Sequence, residues 1–427
     1  MISFGRNSGK EAGIHCNNLG YMVWQMKKKI FSISLIVCIM CVWFGKLTVH
    51  AEENGEAPGQ LYARSAVLMD ADSGRVLFGK EEDAVRPMAS TTKIMTCILA
   101  LENMQEDQIV TASAYAAGQP KVRLGVKDQE QFYLRDLLYA LMLESYNDSA
   151  VVIAEGLCGT VEGFVDLMNQ KAEELGCEHT YFVTPNGLDG SDEKGTHSTT
   201  ARELALIILY FIMQSSCKDQ FLEITRTKNY QFTNVDGSRS FSCNNHNAFL
   251  DMMDGALSGK TGFTADAGYC YIGALERDGR TFIVALLACG WPNNKGYKWS
   301  DTRKLMEYGL ANYEYRDVWK DVEFPDIEVE QGIEAEDPYR NKTEVPVRVE
   351  GKEELPVLLG KEEDVEVQTE VEDSLAAPVK AGTEVGRIRY LLEGNEIASY
   401  AVVTEKDVDK KELDWALRWI VGLILLS

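Results

Sequence analysis

An α/β domain whose first and last strands share one sheet, followed by a small all-β domain and a terminal amphipathic helix, is the fold class this sequence predicts. Three observations predict it. Strand-like runs lie at both ends of the first 315 residues, with helical periodicity between and around them. From about residue 317 the chain becomes Val-rich, with Gly and Pro punctuation and dense acid. A length of 427 residues is too great for one ordinary domain, and a mix of 45% apolar and 26% charged residues excludes a disordered chain or a polytopic membrane protein.

Taken in order, residues 1–25 carry polar residues such as Asn7, Glu11, Asn17 and Asn18 and contribute nothing to targeting. They are read as an extension upstream of a translation start at Met26, with Met22 as the alternative. Residues 26–51 read as a secretory signal: Met-Lys-Lys-Lys, an apolar stretch from Ile30 to Phe44, then Val49-His50-Ala51 ahead of Glu52. That apolar stretch is short for a membrane span, although an uncleaved anchor is the alternative. Between 65 and 80 apolar residues alternate about Asp72-Ser73-Gly74, the mark of a β-hairpin. Helical periodicity covers 91–104, 134–143, 148–175 and 199–214. Short β-rich runs at 257–264, 269–276 and 281–289 follow, the last two joined by Arg277-Asp278-Gly279, and a helix over 299–313 closes a unit spanning 60–315.

The all-β region is placed at 317–408, and between 317 and 410 the chain carries 26 acidic against 11 basic residues. This acidity reads as a solvated surface. Over 410–427 Asp414, Arg418 and Gly422 recur every four residues among apolar neighbours, so a helix there has one narrow polar strip. The segment is too short to span and suited to lying in a membrane surface; a last helix packed on its own domain is the alternative.

A net charge of −23 argues against a nucleic-acid partner, because a phosphate backbone would be repelled. The ten cysteines show no regular spacing and no CxxC outside the apolar segment near the start, against both a disulfide framework and a structural zinc site. With five histidines and no HExxH, no metal and no cofactor is expected.

Three short motifs carry the chemistry. Ser90-Thr91-Thr92-Lys93 opens an apolar-periodic helix, and residues at i and i+3 share a face, so the Lys93 amine stands beside the Ser90 hydroxyl. An alcohol becomes a useful nucleophile when a base takes its proton, and the unpaired N–H groups of a helix start favour a developing oxyanion. Alone, S-x-x-K is weak, since a chain this long contains one or two by chance. Ser145-Tyr146-Asn147 between two helices and Lys260-Thr261-Gly262 on a strand raise it, because the three occur in order and in the strand, loop and helix contexts the chemistry needs.

With these motifs the chain resembles the low-molecular-weight penicillin-binding proteins, serine-type D-alanyl-D-alanine carboxypeptidases of the serine DD-peptidase family. The likeness runs from about Ala63 to the C-terminus and includes Thr184-Pro185-Asn186-Gly187-Leu188, His197, Asn245-His246-Asn247 and Gly259 to Gly268. It implies a β-lactamase-like domain, an antiparallel sheet flanked by helices with a helical subdomain, then the family's β-rich C-terminal domain and a membrane-anchor helix. The resemblance also implies roles. Ser90 would be the nucleophile that forms an acyl-enzyme, neutral Lys93 the general base, Ser145 a proton relay and Asn147 a partner of substrate amides. Lys260 would supply positive charge and, with Thr261, hold the substrate carboxylate, along the stretch that continues through Gly262. The backbone N–H groups of Ser90 and Phe263 would form the oxyanion hole. The implied partners are peptidoglycan stem peptides, with β-lactam antibiotics as covalent inhibitors, outside the cytoplasmic membrane.

Two departures from the family pattern bear on substrate fit. Tyr146 stands where Gly is more usual and is expected to put a large side chain at the cleft wall, and Cys289-Gly290-Trp291 lacks an Arg that some members use toward the carboxylate. Two rival readings are a class A-like β-lactamase and a catalytically idle wall-associated scaffold. The first needs a water-activating Glu, and Glu203 reads as an ordinary helix residue; the second predicts decay of a reactive position, and all are present. His179, His197 and His246 read as hydrogen-bonding structure.

Overall fold

The hairpin predicted between 65 and 80 forms as β1 (Ser65–Asp70) and β2 (Val76–Lys80), antiparallel. Asp70 closes its turn, accepting hydrogen bonds from the Ser73 amide and hydroxyl at 3.2 and 2.5 Å. In this computed structural model, residues 57–333, 343–351 and 353–426 are described; the extension and signal-peptide expectations over 1–51 lie outside the described residues.

After the hairpin the chain leaves the sheet. A 3₁₀ turn, Ala89–Thr92, leads into α1 (Lys93–Asn103), so Ser90 sits in the tighter turn and Lys93 begins the α-helix proper. The run expected over 134–143 is α2 (Leu134–Tyr139), continued by a π-helical turn, Ala140–Glu144. The single helix expected over 148–175 is two, α3 (Asn147–Cys158) and α4 (Val161–Glu174). Gly159 ends the first in the left-handed region at φ +78°, and the Thr160 hydroxyl caps the second by accepting from the Gly163 amide. The next helix, α5 (Ala201–Leu209), ends in a second π-helical turn. A helix at Lys218–Arg226 and a hairpin of Asn229–Thr233 with Ser240–Asn244 were not expected. The hairpin's alternation, Tyr230 and Phe232 against Phe241 and Cys243, is its sequence signal.

The chain then returns to the sheet as β3 (Ala256–Thr264), β4 (Gly268–Arg277) and β5 (Arg280–Leu287), and α6 (Tyr297–Asn312) packs on it. The order is β2-β1-β5-β4-β3, antiparallel throughout, which joins the first and last strands as expected. β5 reads as almost continuously apolar because both its faces are buried. Val67, Met69, Ile283 and Ala285 face the helical side; Leu68, Phe282, Val284 and Leu286 pack on the side of α6 with Leu305 and Met306. β3 is left as an edge strand, and it is the edge that meets the Ser90 turn.

Between α6 and the last helix the regular structure of the described residues is all β. Val347–Val349, Asn395–Thr404, Glu384–Leu392 and Val365–Val371 form a four-stranded antiparallel sheet over two small apolar cores. A strand at Tyr313–Asp317 follows the helix directly and pairs with Pro356–Gly360. Arg75 of the hairpin turn reaches into this region, donating in bidentate fashion to Glu363 at 2.7 and 3.0 Å and to the Leu358 carbonyl. A last helix, α7 (Leu413–Leu426), exposes Leu413, Leu417, Ile420, Val421 and Ile424. No helix among the described residues is long and apolar enough to cross a membrane. The seven described cysteines are unpaired thiols, most of them buried, and no metal-binding cluster occurs among the described residues.

Candidate active site

The helical turn brings Lys93 Nζ to 2.9 Å from Ser90 Oγ. Lys93 is fully buried, and two further acceptors surround its amine: Asn147 Oδ1 at 2.9 Å and the Asn186 carbonyl. A neutral amine has two N–H bonds and one lone pair. Two fixed acceptors therefore take the N–H bonds and leave the lone pair facing the Ser90 hydroxyl. Burial drives the Lys93 pKa well below its ordinary value, and the Lys260 ammonium pushes in the same direction. An amine so placed can take the proton of the alcohol beside it.

The second motif supplies two groups. Ser145 ends the π-helical turn in a left-handed conformation, φ 64° and ψ 33°, a strained state for a residue with a Cβ. Its hydroxyl accepts from Lys260 Nζ at 2.9 Å, and Lys260 also donates to the Thr261 carbonyl at 2.9 Å. Burial lowers the Lys260 pKa to about 7. Asn147 is fixed by its amide, which donates to the Val122 carbonyl, while Asp148 accepts from the amides of Leu124, Gly125 and Val126 and so holds the loop beneath.

The third motif depends on absent side-chain volume. A Cβ on Gly262 would stand 2.9 Å from Ser90 N and 3.0 Å from Ala89 Cβ. Only glycine lets the edge of β3 lie against the nucleophile turn. Along β3, Lys260 and Gly262 face Ser90, whereas Thr261 and Phe263 pair across the ladder with Tyr271 and Tyr269 and so point to the α6 side. Ser90, Ser145, Asn147, Thr261, Gly262 and Phe263 line one cleft of about 670 Å³. Lys93 and Lys260 lie buried at its floor. All eight residues singled out from the sequence are thus brought together.

Other groups build the site without having been given a role from the sequence. The Asn186 carbonyl fixes Lys93, and Gly187, at φ +82°, allows that loop to close on the Ala89 carbonyl. The Asn-Gly pair was the available signal, since it marks a turn needing a left-handed residue. His197 is buried, with its pKa lowered to about 4 by that burial and then by Lys93, so it is neutral. Its Nδ1 accepts from the Val183 amide, which leaves Nε2–H to donate to Thr92 Oγ1 at 2.7 Å, and Thr92 in turn donates to the Ala89 carbonyl. This bracing matches the structural part expected of the histidines. His246 pairs with Glu144 beside Ser145, and His179 with Glu203.

Glu203 is buried, its oxygens held by the His179 amide and the Thr180 hydroxyl, as expected of a structural residue. One expectation is corrected. Tyr146 does not stand in the cleft wall; it packs partly buried on the main core, and burial pushes its pKa up to about 12. The turn's left-handed Ser145 sends the next side chain inward. Trp291 donates from Nε1 to the Ala265 carbonyl and lies outside the cleft lining.

The chain is similar to several known proteins. Residues 51–289 match the Peptidase S11 family, described as D-alanyl-D-alanine carboxypeptidase, and residues 331–410 match the C-terminal domain of penicillin-binding protein 5. The D-alanyl-D-alanine carboxypeptidase DacF of Bacillus subtilis is 27% identical over 404 residues, covering 90% of this chain and 95% of that protein. The D-alanyl-D-alanine carboxypeptidase DacB2 of Mycobacterium tuberculosis is 30% identical over 249 residues, covering 58% and 82%. The crystal structure of penicillin-binding protein 5 from Haemophilus influenzae superposes with a TM-score of 0.63 at 26% identity, over 83% of this chain and 100% of that one. Since the first match alone takes in more than half of the residues and contains every motif described above, the chain belongs to the D-alanyl-D-alanine carboxypeptidase family of serine peptidases.

Proposed function

We propose that this protein removes the terminal D-alanine from peptidoglycan stem peptides through a Ser90 acyl-enzyme. The observation that carries the reading is the buried Lys93 amine 2.9 Å from Ser90 Oγ, with its two N–H bonds already committed. Lys93 takes the Ser90 proton as Oγ attacks the carbonyl between the two D-alanines. The amides of Ser90 and Phe263 receive the oxyanion, a geometry supported by the close approach at Gly262. The C–N bond then breaks as the proton Lys93 took is passed through the Ser145 hydroxyl, held in place by Lys260, to the leaving nitrogen, which leaves Lys93 neutral again. Water, deprotonated by Lys93, cleaves the ester and restores Ser90. Asn147 aligns the substrate amide, and Lys260 with Thr261 attracts the terminal carboxylate.

Penicillin acylates the same Ser90. The β-lactamase alternative needs a carboxylate free to activate water, whereas Glu203 is buried and engaged by His179 and Thr180. The protein works on the outer face of the cytoplasmic membrane, held there by the apolar stripe of α7. The idle-scaffold alternative is excluded by release of D-alanine from diacyl-Lys-D-Ala-D-Ala by the parent and its loss in Ser90→Ala. A parent that releases none overturns the reading.

A further inference from the structure

In a chain of net charge −23, the cleft beside Ser90 is lined by three lysines and by no Asp or Glu among the described residues. Lys121 and Lys295 are exposed, as surface lysines ordinarily are. Lys298 differs. It is 6% exposed, its Nζ donates to the Lys295 carbonyl at 2.6 Å, and it lies 4.7 Å from the Tyr269 ring centre and 4.8 Å from that of Trp299. No carboxylate of the described residues stands within 4.0 Å of it, and Asp301, one turn along α6, accepts instead from the Ala63 amide and the Cys289 thiol. Burying an ammonium without a counter-charge is costly, and ring faces return only part of that cost. Burial lowers its pKa to about 8, which leaves it predominantly protonated at neutral pH.

Its position relative to β3 says what the charge can meet. Thr261 and Phe263 point to the α6 side of the edge strand, as do their cross-strand partners Tyr271 and Tyr269. Phe263 and Tyr269 are in ring contact at 4.6 Å, and Tyr271 and Trp299 at 4.9 Å. Lys298 stacks on Tyr269 and Trp299, on the same face as the Thr261 hydroxyl, which has no protein partner among the described residues. A cation and a free hydroxyl on one wall of the reactive cleft make a receptor for a carboxylate.

We propose that Lys298 is a specificity-determining residue that, with the Thr261 hydroxyl, receives the terminal carboxylate of the substrate peptide. The proposal rests on the carboxypeptidase reading and adds Lys298, on the Thr261 side of the strand, as a second cation beside Lys260, whose amine is also engaged by Ser145 and the Thr261 carbonyl.

The test compares two esters on the full chain: diacetyl-Lys-D-Ala-D-lactate, which ends in a carboxylate, and diacetyl-Lys-D-Ala methyl ester, which does not. The quantity read is kcat/KM for the first divided by kcat/KM for the second. Lys298→Met should lower this ratio about 10- to 100-fold, the range for loss of a charged hydrogen bond, and Lys298→Arg should retain most of it. An unchanged ratio in Lys298→Met overturns the proposal. So does an equal loss on both esters, which would mean that Lys298 merely supports the packing of α6. A parent that cleaves neither ester removes the carboxypeptidase reading itself, and this inference with it.

Discussion

Gly187→Ala tests how tightly the nucleophile turn is gripped. Gly187 has φ +82°, and a Cβ there would stand 2.1 Å from the Ala89 carbonyl oxygen, 2.5 Å from its carbon and 3.0 Å from Ser90 Cα. All three are backbone atoms, so no side chain can swing aside. The left-handed backbone costs an alanine about 1–2 kcal/mol, and relief of the overlap adds about 1–3 kcal/mol. Gly159 is the control: its φ is +78°, with nothing within 4 Å of a Cβ, so Gly159→Ala carries the backbone cost alone. The overlap is relieved only by moving the 184–188 loop by about 1 Å, which carries the Asn186 carbonyl away from Lys93 Nζ, and a misplacement of that size costs about 100-fold in rate. The assays are the rate of acylation by a labelled penicillin and the thermal midpoint of each variant. Gly187→Ala should acylate about 100-fold more slowly and melt below Gly159→Ala, which should acylate at close to the parent rate. Equal melting of the two variants, or parent-like acylation by Gly187→Ala, would refute the reasoning.

Two other predictions concern charge and attachment. The pH profile of kcat/KM on diacyl-Lys-D-Ala-D-Ala should be bell-shaped: below the lowered Lys93 pKa the amine is an ammonium and Ser90 has no base, while above about 7 Lys260 loses its charge in the free enzyme. Lys260→Arg should move the alkaline limb up to about 8, where Lys298 loses its charge in turn, and a parent profile without an alkaline limb would contradict the assigned charges. In the last prediction, the full chain should sediment with anionic phospholipid vesicles and a chain ending at Lys411 should not, because the stripe of Leu413, Leu417, Ile420, Val421 and Ile424 goes with the tail. Equal sedimentation of both would show that α7 is not the attachment.

Much of the fold was legible because its signals are local. The hairpin about Asp72-Ser73-Gly74 and the strand pair about Arg277-Asp278-Gly279 combine alternation with turn residues, and both formed where expected. The break between α3 and α4 was missed because the apolar period continues through Gly159 and only the cap chemistry of Gly159-Thr160 interrupts it. Tyr146 was misplaced for a related reason. Its motif neighbours Ser145 and Asn147 line the cleft, but which way a side chain leaves a left-handed turn depends on backbone angles that residue types do not specify.

The pairing of Ser90 with Lys93 needs nothing beyond one helical turn, so the reactive couple could be read from spacing alone, and with the other two motifs it identified the family. Assembly of the site is another matter. Lys93 meets Asn147 across 54 positions of chain, and Lys260 meets Ser145 across 115. Those contacts exist because β3 is an edge strand and glycines at 187 and 262 admit two backbones to the nucleophile turn. Packing likewise decided that Lys298, unremarked in the sequence, lies buried beside the cleft with no carboxylate of the described residues paired to it, because burial and the company of charges are properties of the folded chain and not of residue order.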